Sequence, residues 1–229
     1  MHGSTLEWFP QIYPQTGRLC VAVSRCTLTD MTESPTRVEA FSDGVFAIAI
    51  TLLILEIRVP HVDHGLWAGL VALWPSYVAF LLSFAVILIM WVNHHELLRM
   101  VGGVTYPFLF ANGLLLLTVT FVPFPTAVLA AYLGTAEART AVAFYCATFV
   151  VNALVWRLLF ATMVRGGLKP GVTAETVATV RKAYFWGPVV YLFSTGVALI
   201  RPTLGLLVNV SLWILWVRLG YRSERSATR

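Results

Sequence analysis

The strongest constraint in this sequence is the recurrence of apolar runs long enough to cross a lipid bilayer. About 20 consecutive apolar residues span the hydrocarbon core as a helix. Six runs approach or exceed that length: 37–57, 75–97, 106–132, 140–164, 183–200 and 204–219, the last two near the lower limit. Composition agrees. The chain is 229 residues long, 58% hydrophobic and 12% charged, with mean hydropathy +0.77. A soluble domain carries about 25% charged residues, so this chain lacks the polar surface of a cytosolic globule and the polarity of a disordered protein. Backbone polar groups in lipid must be satisfied within the structure, which leaves helices as the spanning element. The expected fold class is therefore all-α, a polytopic membrane bundle of six transmembrane helices.

The remaining segments set organisation and topology. Residues 1–34 are mixed, interrupted by Pro10, Pro14 and Gly17, and lack the apolar core of a signal peptide. They are expected to be a disordered leader, with the native start at Met31; N-terminal mass spectrometry of natively expressed protein tests this, and a peptide from residues 1–30 would rule it out. The six-helix bundle is expected over 35–220 and a basic tail over 221–229. The segment 65–74 is apolar but too short to cross and is followed by Pro75, so it reads as an interfacial helix or the start of a broken span. With both termini in the cytoplasm, twelve Lys and Arg residues fall on the cytoplasmic side (among them Arg37, Arg99, Arg165, Lys169, Arg181, Lys182 and Arg218) and three, Arg58, Arg139 and Arg201, on the other. That asymmetry favours an even number of spans. The net charge of +5 is spread between apolar segments rather than gathered in one patch, so a nucleic-acid partner is not expected.

The first span carries the chemistry. It places Asp43 at least a turn inside an otherwise apolar helix, where an ionised group is costly unless it is paired or reaches water. At about 100° per residue, Phe41, Gly44, Ile48, Thr51, Leu52 and Leu55 share one face and Asp43 points away from it. If the Ile48 face lines an axis, Asp43 faces neighbouring helices; if Asp43 lines it, Ile48 does not. Asp43 is expected to brace the helix by pairing with Arg37 or His94. An Asp43→Ala change should then disturb helix assembly more than the behaviour of the Ile48 face, and an altered Ile48 face with assembly intact would sink the idea.

The element Arg37, Phe41-Ser42-Asp43 and the run Gly-Val-Phe-Ala-Ile-Ala-Ile-Thr-Leu-Leu-Ile-Leu-Glu-Ile that follows resemble the first helix of the transmembrane protein 175 family. Trp91-Val-Asn93-His94-His95 and Phe121-Val-Pro123-Phe124-Pro125-Thr126 add to the resemblance, which covers roughly residues 35–220. It implies a potassium channel, endosomal and lysosomal in animals and a single six-helix unit in bacteria. For this chain it implies a homotetramer in the bacterial inner membrane with four first helices around a central pore. It also implies a constriction and gate at Ile48, Leu52 and Leu55, potassium preference from Thr51, and permeant K+ near Ile48 and Thr51. The interhelical network it implies comprises Arg37, Phe41, Ser42, Asp43, Trp91, Asn93 and His94. No cofactor, resident metal or enzymatic activity is expected. Narrow rings of Ile and Leu close a pore by dewetting.

Other features have plainer readings. Adjacent His94 and His95 point about 100° apart on a helix and read as a hydrogen-bonded helix end rather than a metal site. Asn112 and Asn152 are candidates for helix–helix hydrogen bonds. Pro123 and Pro125 should bend the third span, and Arg157 should snorkel from the fourth. Cys20, Cys26 and Cys146 read as unpaired thiols. There is no Thr-Val-Gly-Tyr-Gly filter loop, no voltage-sensor Arg repeat, and no P-loop, nucleophile elbow or zinc-protease motif. The rival reading is a proton-coupled secondary transporter using Asp43 and His94; the unbroken aliphatic face of the first helix counts against it.

Overall fold

The computed structural model describes residues 35–60 and 65–227, with side chains in the last helix described up to Val217 except residue 215. The expected leader, the Met31 start, Cys20 and Cys26 lie outside the described residues. The order is α1 (Pro35–Leu52, extended by a 3-10 turn over Leu53–Glu56), α2 (Leu66–Ala72), α3 (Trp74–Arg99), α4 (Tyr106–Phe121), α5 (Pro123–Tyr132), α6 (Ala138–Gly166), α7 (Ala174–Ile200) and α8 (Pro202–Ala227). Five stretches are long and apolar enough to cross a membrane: Pro35–Glu56, Trp74–Arg99, Tyr106–Tyr132, Ala138–Gly166 and Ala174–Ile200. Pro202–Ile214 is the shorter apolar part of α8. The chain is thus a multi-pass membrane bundle of six apolar helical segments, without a strand among the described residues.

Local sequence explains where helices begin and break. Pro123 and Pro125 lack amide hydrogens, and the third span is divided at Val122 into α4 and α5. Thr126 stitches the break, its amide and hydroxyl both donating to the Val122 carbonyl at 3.1 and 2.8 Å. The segment expected at 65–74 forms the short helix α2, about two turns long, exposed along most of its length, and runs almost directly into α3. The fifth span starts at Ala174, nine residues before the expected 183. Thr173 caps it, its hydroxyl accepting from the Thr176 amide at 3.2 Å, and Glu175 favours the first turn. Residues 221–227, expected as a tail, continue α8.

The core centres on α6, which packs against α4, α5, α7 and α8. Its fifteen buried residues, Tyr145, Phe149, Trp156 and Leu159 among them, cover more than half of its circumference, and Val151, Leu154 and Leu158 mark the face left exposed. Buried polar pairs lock layers together. Ser83, Thr126 and Tyr145 join α3, α5 and α6 through contacts of 2.6 and 3.1 Å. Asn152 donates from α6 to the Thr118 hydroxyl of α4 at 2.8 Å. At one end, the loop after α3 and the loop after α6 are clasped backbone to backbone: Gly102 N donates to Gly167 O at 3.1 Å and Lys169 N to Met100 O at 3.0 Å. A side chain at Gly102 would put its Cβ 2.6 Å from the Leu168 carbonyl carbon, so the close approach requires glycine. The helix α1 lies at the edge of the bundle, against α3 and α4, with its 3-10 turn against α3 and α5.

Candidate pore helix and the polar network behind it

The residues of α1 divide into two faces. Val38, Ser42, Phe46, Ala49 and Leu53 are buried against the bundle. Taking Ile48 as the origin and about 100° per residue, these five cluster near +120°. The opposite stripe is open: Phe41 is 66% exposed, Ile48 59%, Leu52 42% and Leu55 68%, with Gly44 and Thr51 exposed between them. The stripe contains Ile48, Thr51, Leu52 and Leu55, all four residues expected to line a pore, and Phe41 lies on it rather than in the network behind. The 3-10 turn sharpens the outer end, because side chains three apart eclipse there and Leu55 stands over Leu52. Thr51 donates its hydroxyl hydrogen to the Ile48 carbonyl at 2.9 Å, which leaves the oxygen lone pairs to face outward.

Behind the stripe, α1 is held by two sets of polar contacts. The inner set is buried. Ser42 donates to the Val38 carbonyl at 2.7 Å, and Asn112 on α4 donates its amide to the Ser42 hydroxyl at 3.0 Å. The Asn112 carbonyl oxygen then faces His94 Nε2 at 2.8 Å, which makes Nε2 the protonated nitrogen. His94 sits between the rings of Phe46 and Trp156, centroids 5.4 and 6.2 Å away. Its Nδ1 meets no partner among the described residues. Four helices, α1, α3, α4 and α6, therefore converge on one imidazole.

The outer set is a two-rung ladder between α1 and α3. Trp91 Nε1 donates to the Asp43 carboxylate at 2.8 Å, and His95 Nδ1 donates to Glu39 at 2.8 Å. Glu39 and Asp43 are four residues apart, as are Trp91 and His95, so each pair shares a helix face. The ladder fits two helices running in opposite directions. Asp43 thus has Trp91, not His94, as its hydrogen-bonding partner, and His94 is committed to Asn112. Asn93 returns its amide to the Ile89 carbonyl one turn earlier in its own helix, at 2.9 Å. Arg37 is exposed in the first turn of α1. Asn112 and Asn152 make the interhelical hydrogen bonds expected of them. Glu39 and His95 add a contact that the Asp43-centred reading missed; the signal was present in the matching four-residue spacings.

Among the described residues, no group of three His, Cys, Asp or Glu side chains is gathered as a metal site would need. Cys146 is buried and free.

A profile of the family described as endosomal/lysosomal potassium channel TMEM175 matches residues 37–123, which contain the stripe and both halves of the network. A potassium channel of Chamaesiphon minutus is 48% identical over 170 residues, covering 72% of this chain and 84% of its own. A potassium channel of Streptomyces collinus is 46% identical over 175 residues, covering 74% of this chain and 85% of its own. Among solved structures, the crystal structure of a lysosomal potassium-selective channel TMEM175 homologue from Chamaesiphon minutus superimposes with TM-score 0.72 at 44% identity, over 82% of this chain and 97% of that one.

Proposed function

Since this chain belongs to the TMEM175 family of ion channels, we propose that it conducts potassium in preference to sodium through a pore lined by α1, in a homotetramer. The observation that carries the reading is the open stripe of α1. An apolar helix face left bare in a membrane bundle could face lipid on its own. Here that face is backed by a buried polar network joining α1, α3 and α4, an arrangement that supports a fixed angle for the stripe. Four copies around an axis would bring Ile48, Leu52 and Leu55 into stacked rings.

The mechanism follows from those rings. Aliphatic rings exclude water when narrow, so the closed state is a dewetted one. Opening requires the four stripes to move apart or turn. The Thr51 oxygens, already donating inward, then offer lone pairs to an ion that has shed part of its hydration. Asp43, Trp91, Glu39 and His95 hold α1 on α3 and act on its position rather than on the ion. Placement in a bacterial inner membrane with both termini cytoplasmic is supported by the excess of basic residues on that side. A proton-coupled transporter using Asp43 and His94 has less support, because the two groups are engaged by different partners.

The deciding experiment is the reversal potential of purified protein in a planar bilayer, with potassium on one side and sodium on the other. A shift toward the potassium equilibrium potential is expected. Ile48→Ala should raise current in the resting state, and Thr51→Ala should reduce the shift. Absence of current together with saturable, proton-coupled uptake in liposomes would overturn the channel reading.

A further inference from the structure

A second feature lies between α7 and α8. A groove of about 240 Å³ opens there, lined by Lys182, Trp186, Val190, Tyr191, Leu212 and Trp216, with Ala183 and Gly187 beneath them. Its floor is a fixed aromatic surface. Trp216 donates its indole hydrogen to the Tyr191 hydroxyl at 3.1 Å and stacks on Tyr184 with centroids 5.7 Å apart. A Cβ at Gly187 would press on the Trp216 ring at 3.1 Å, so the glycine lets the two helices close behind the groove. Every lining side chain but Lys182 is apolar or aromatic at the surface it presents, apart from Thr179 at the rim.

The cation stands at a telling depth. From Ile200, where α7 ends, to Lys182 is about 27 Å along the axis at about 1.5 Å per residue, close to the thickness of the hydrocarbon core, about 30 Å. Lys182 therefore sits where acyl chains give way to headgroups. Arg157 reaches the same level by the same arithmetic on α6, about 28 Å from Ala138, with its guanidinium 5.0 Å from the Phe185 ring centroid. Arg181 adjoins it. Among the described residues none of these three cations has a carboxylate within ion-pair distance. The nearest acidic residue on α7, Glu175, lies about two turns nearer the helix start.

We propose that this groove binds one acyl chain of an anionic phospholipid, with the Lys182 ammonium on its phosphodiester. The apolar aromatic channel accepts the chain, and the positive charge at headgroup depth selects the negative lipid over a zwitterionic one. Recognition by a cation at the membrane surface favours the anionic lipid by about five-fold.

Native mass spectrometry of the full chain in mild detergent tests this, titrated with phosphatidylglycerol or with phosphatidylcholine of the same acyl chains. Wild type is expected to retain phosphatidylglycerol about five-fold more, Lys182→Gln to lose that preference, and Lys182→Arg to keep it. Ala183→Phe, which fills the groove, should lower retention of both lipids. Equal retention of the two lipids by wild type, or an unchanged preference in Lys182→Gln, would overturn the proposal. So would wild-type retention in Ala183→Phe. A change in subunit number without a change in lipid would identify the groove as a contact between copies, and would also overturn it. Lys182 is exposed, so its variants leave the packing of the bundle intact and decide the phosphate contact on their own.

Discussion

The helices α1 and α6 are both apolar enough to span a membrane, yet they are used in opposite ways. The apolar window of α1 is 28% buried and that of α6 is 61% buried, although α1 is the more hydrophobic of the two. In water the more apolar helix would be the one hidden. In a bilayer lipid is as apolar as leucine, so hydropathy no longer sorts helices into core and periphery. Shape and polar pairing do the sorting instead. The helix α6 carries residues that interlock over more than half of its circumference, with Tyr145 and Asn152 placed to meet partners on α3 and α4. The helix α1 commits one narrow buried face and two small sets of polar contacts, and leaves the stripe from Phe41 to Leu55 free for other copies or an ion path.

This contrast can be broken most forcefully from the α6 side. Phe149→Ala removes a ring packed on Tyr145 and Tyr191 at centroid distances of 5.1 and 5.8 Å. It should cost about 3–5 kcal/mol, seen as a large fall in thermal unfolding temperature in detergent. A small fall would mean that α6 is not the hub described. Next comes the clasp at the loop end. Gly102→Ala forces a Cβ into the Leu168 backbone and should cost about 1–3 kcal/mol, with hydrogen exchange rising in both loops. Unchanged exchange would show that the loops separate freely.

The α1 side sharpens the contrast through smaller effects. Asn112→Leu leaves Ser42 and His94 without their shared partner and should cost about 1–2 kcal/mol. Its signature is faster hydrogen exchange along α1 with α6 protected as before; equal loosening of both would erase the distinction between them. Trp91→Phe removes one rung of the ladder and should cost about 0.5–1 kcal/mol, altering open probability more than unfolding. At the end of the series, Ile48→Ala should move stability by less than about 0.5 kcal/mol while raising resting current. A strongly destabilised Ile48→Ala protein with unaltered current would place that side chain in packing rather than in a pore.

Much of this was legible in the sequence, for reasons tied to particular residues. The spans could be read because bilayer thickness fixes helix length, and the observed 74–99, 106–132 and 138–166 lie close to expectation. The stripe of α1 followed from helical period alone. The break at Val122 was announced by Pro123 and Pro125. The start of α7 was not, because 174–182 is a polar amphipathic segment whose helicity rests on the Thr173 cap and on packing. Within the expected network that held both Asp43 and Trp91, the choice of His94 for Asp43 missed because hydrogen bonding in a bundle depends on which helices adjoin at the same height. Trp91 is 48 residues away in sequence and His94 is 51, and only the packing of α3 on α1 distinguishes them. Ser42 and His94 were expected in one network and Asn112 as a separate helix–helix contact; that Asn112 is the link between the other two was not foreseen.

The 3-10 turn at Leu53–Glu56 makes the outer end of α1 a stretch of thread wound tighter than the rest. Each residue there rises about 2.0 Å and turns about 120°, against about 1.5 Å and 100° in an α-helix. Rewinding the four residues as α-helix would shorten the segment by about 2 Å and rotate its far end by about 80°. Leu55 would swing off the line of Leu52 while Ile48, below the turn, stayed where it is. The two ends of the stripe are therefore separately adjustable parts: the inner end is set by how α1 sits on the bundle, and the outer end by the pitch of its last four residues.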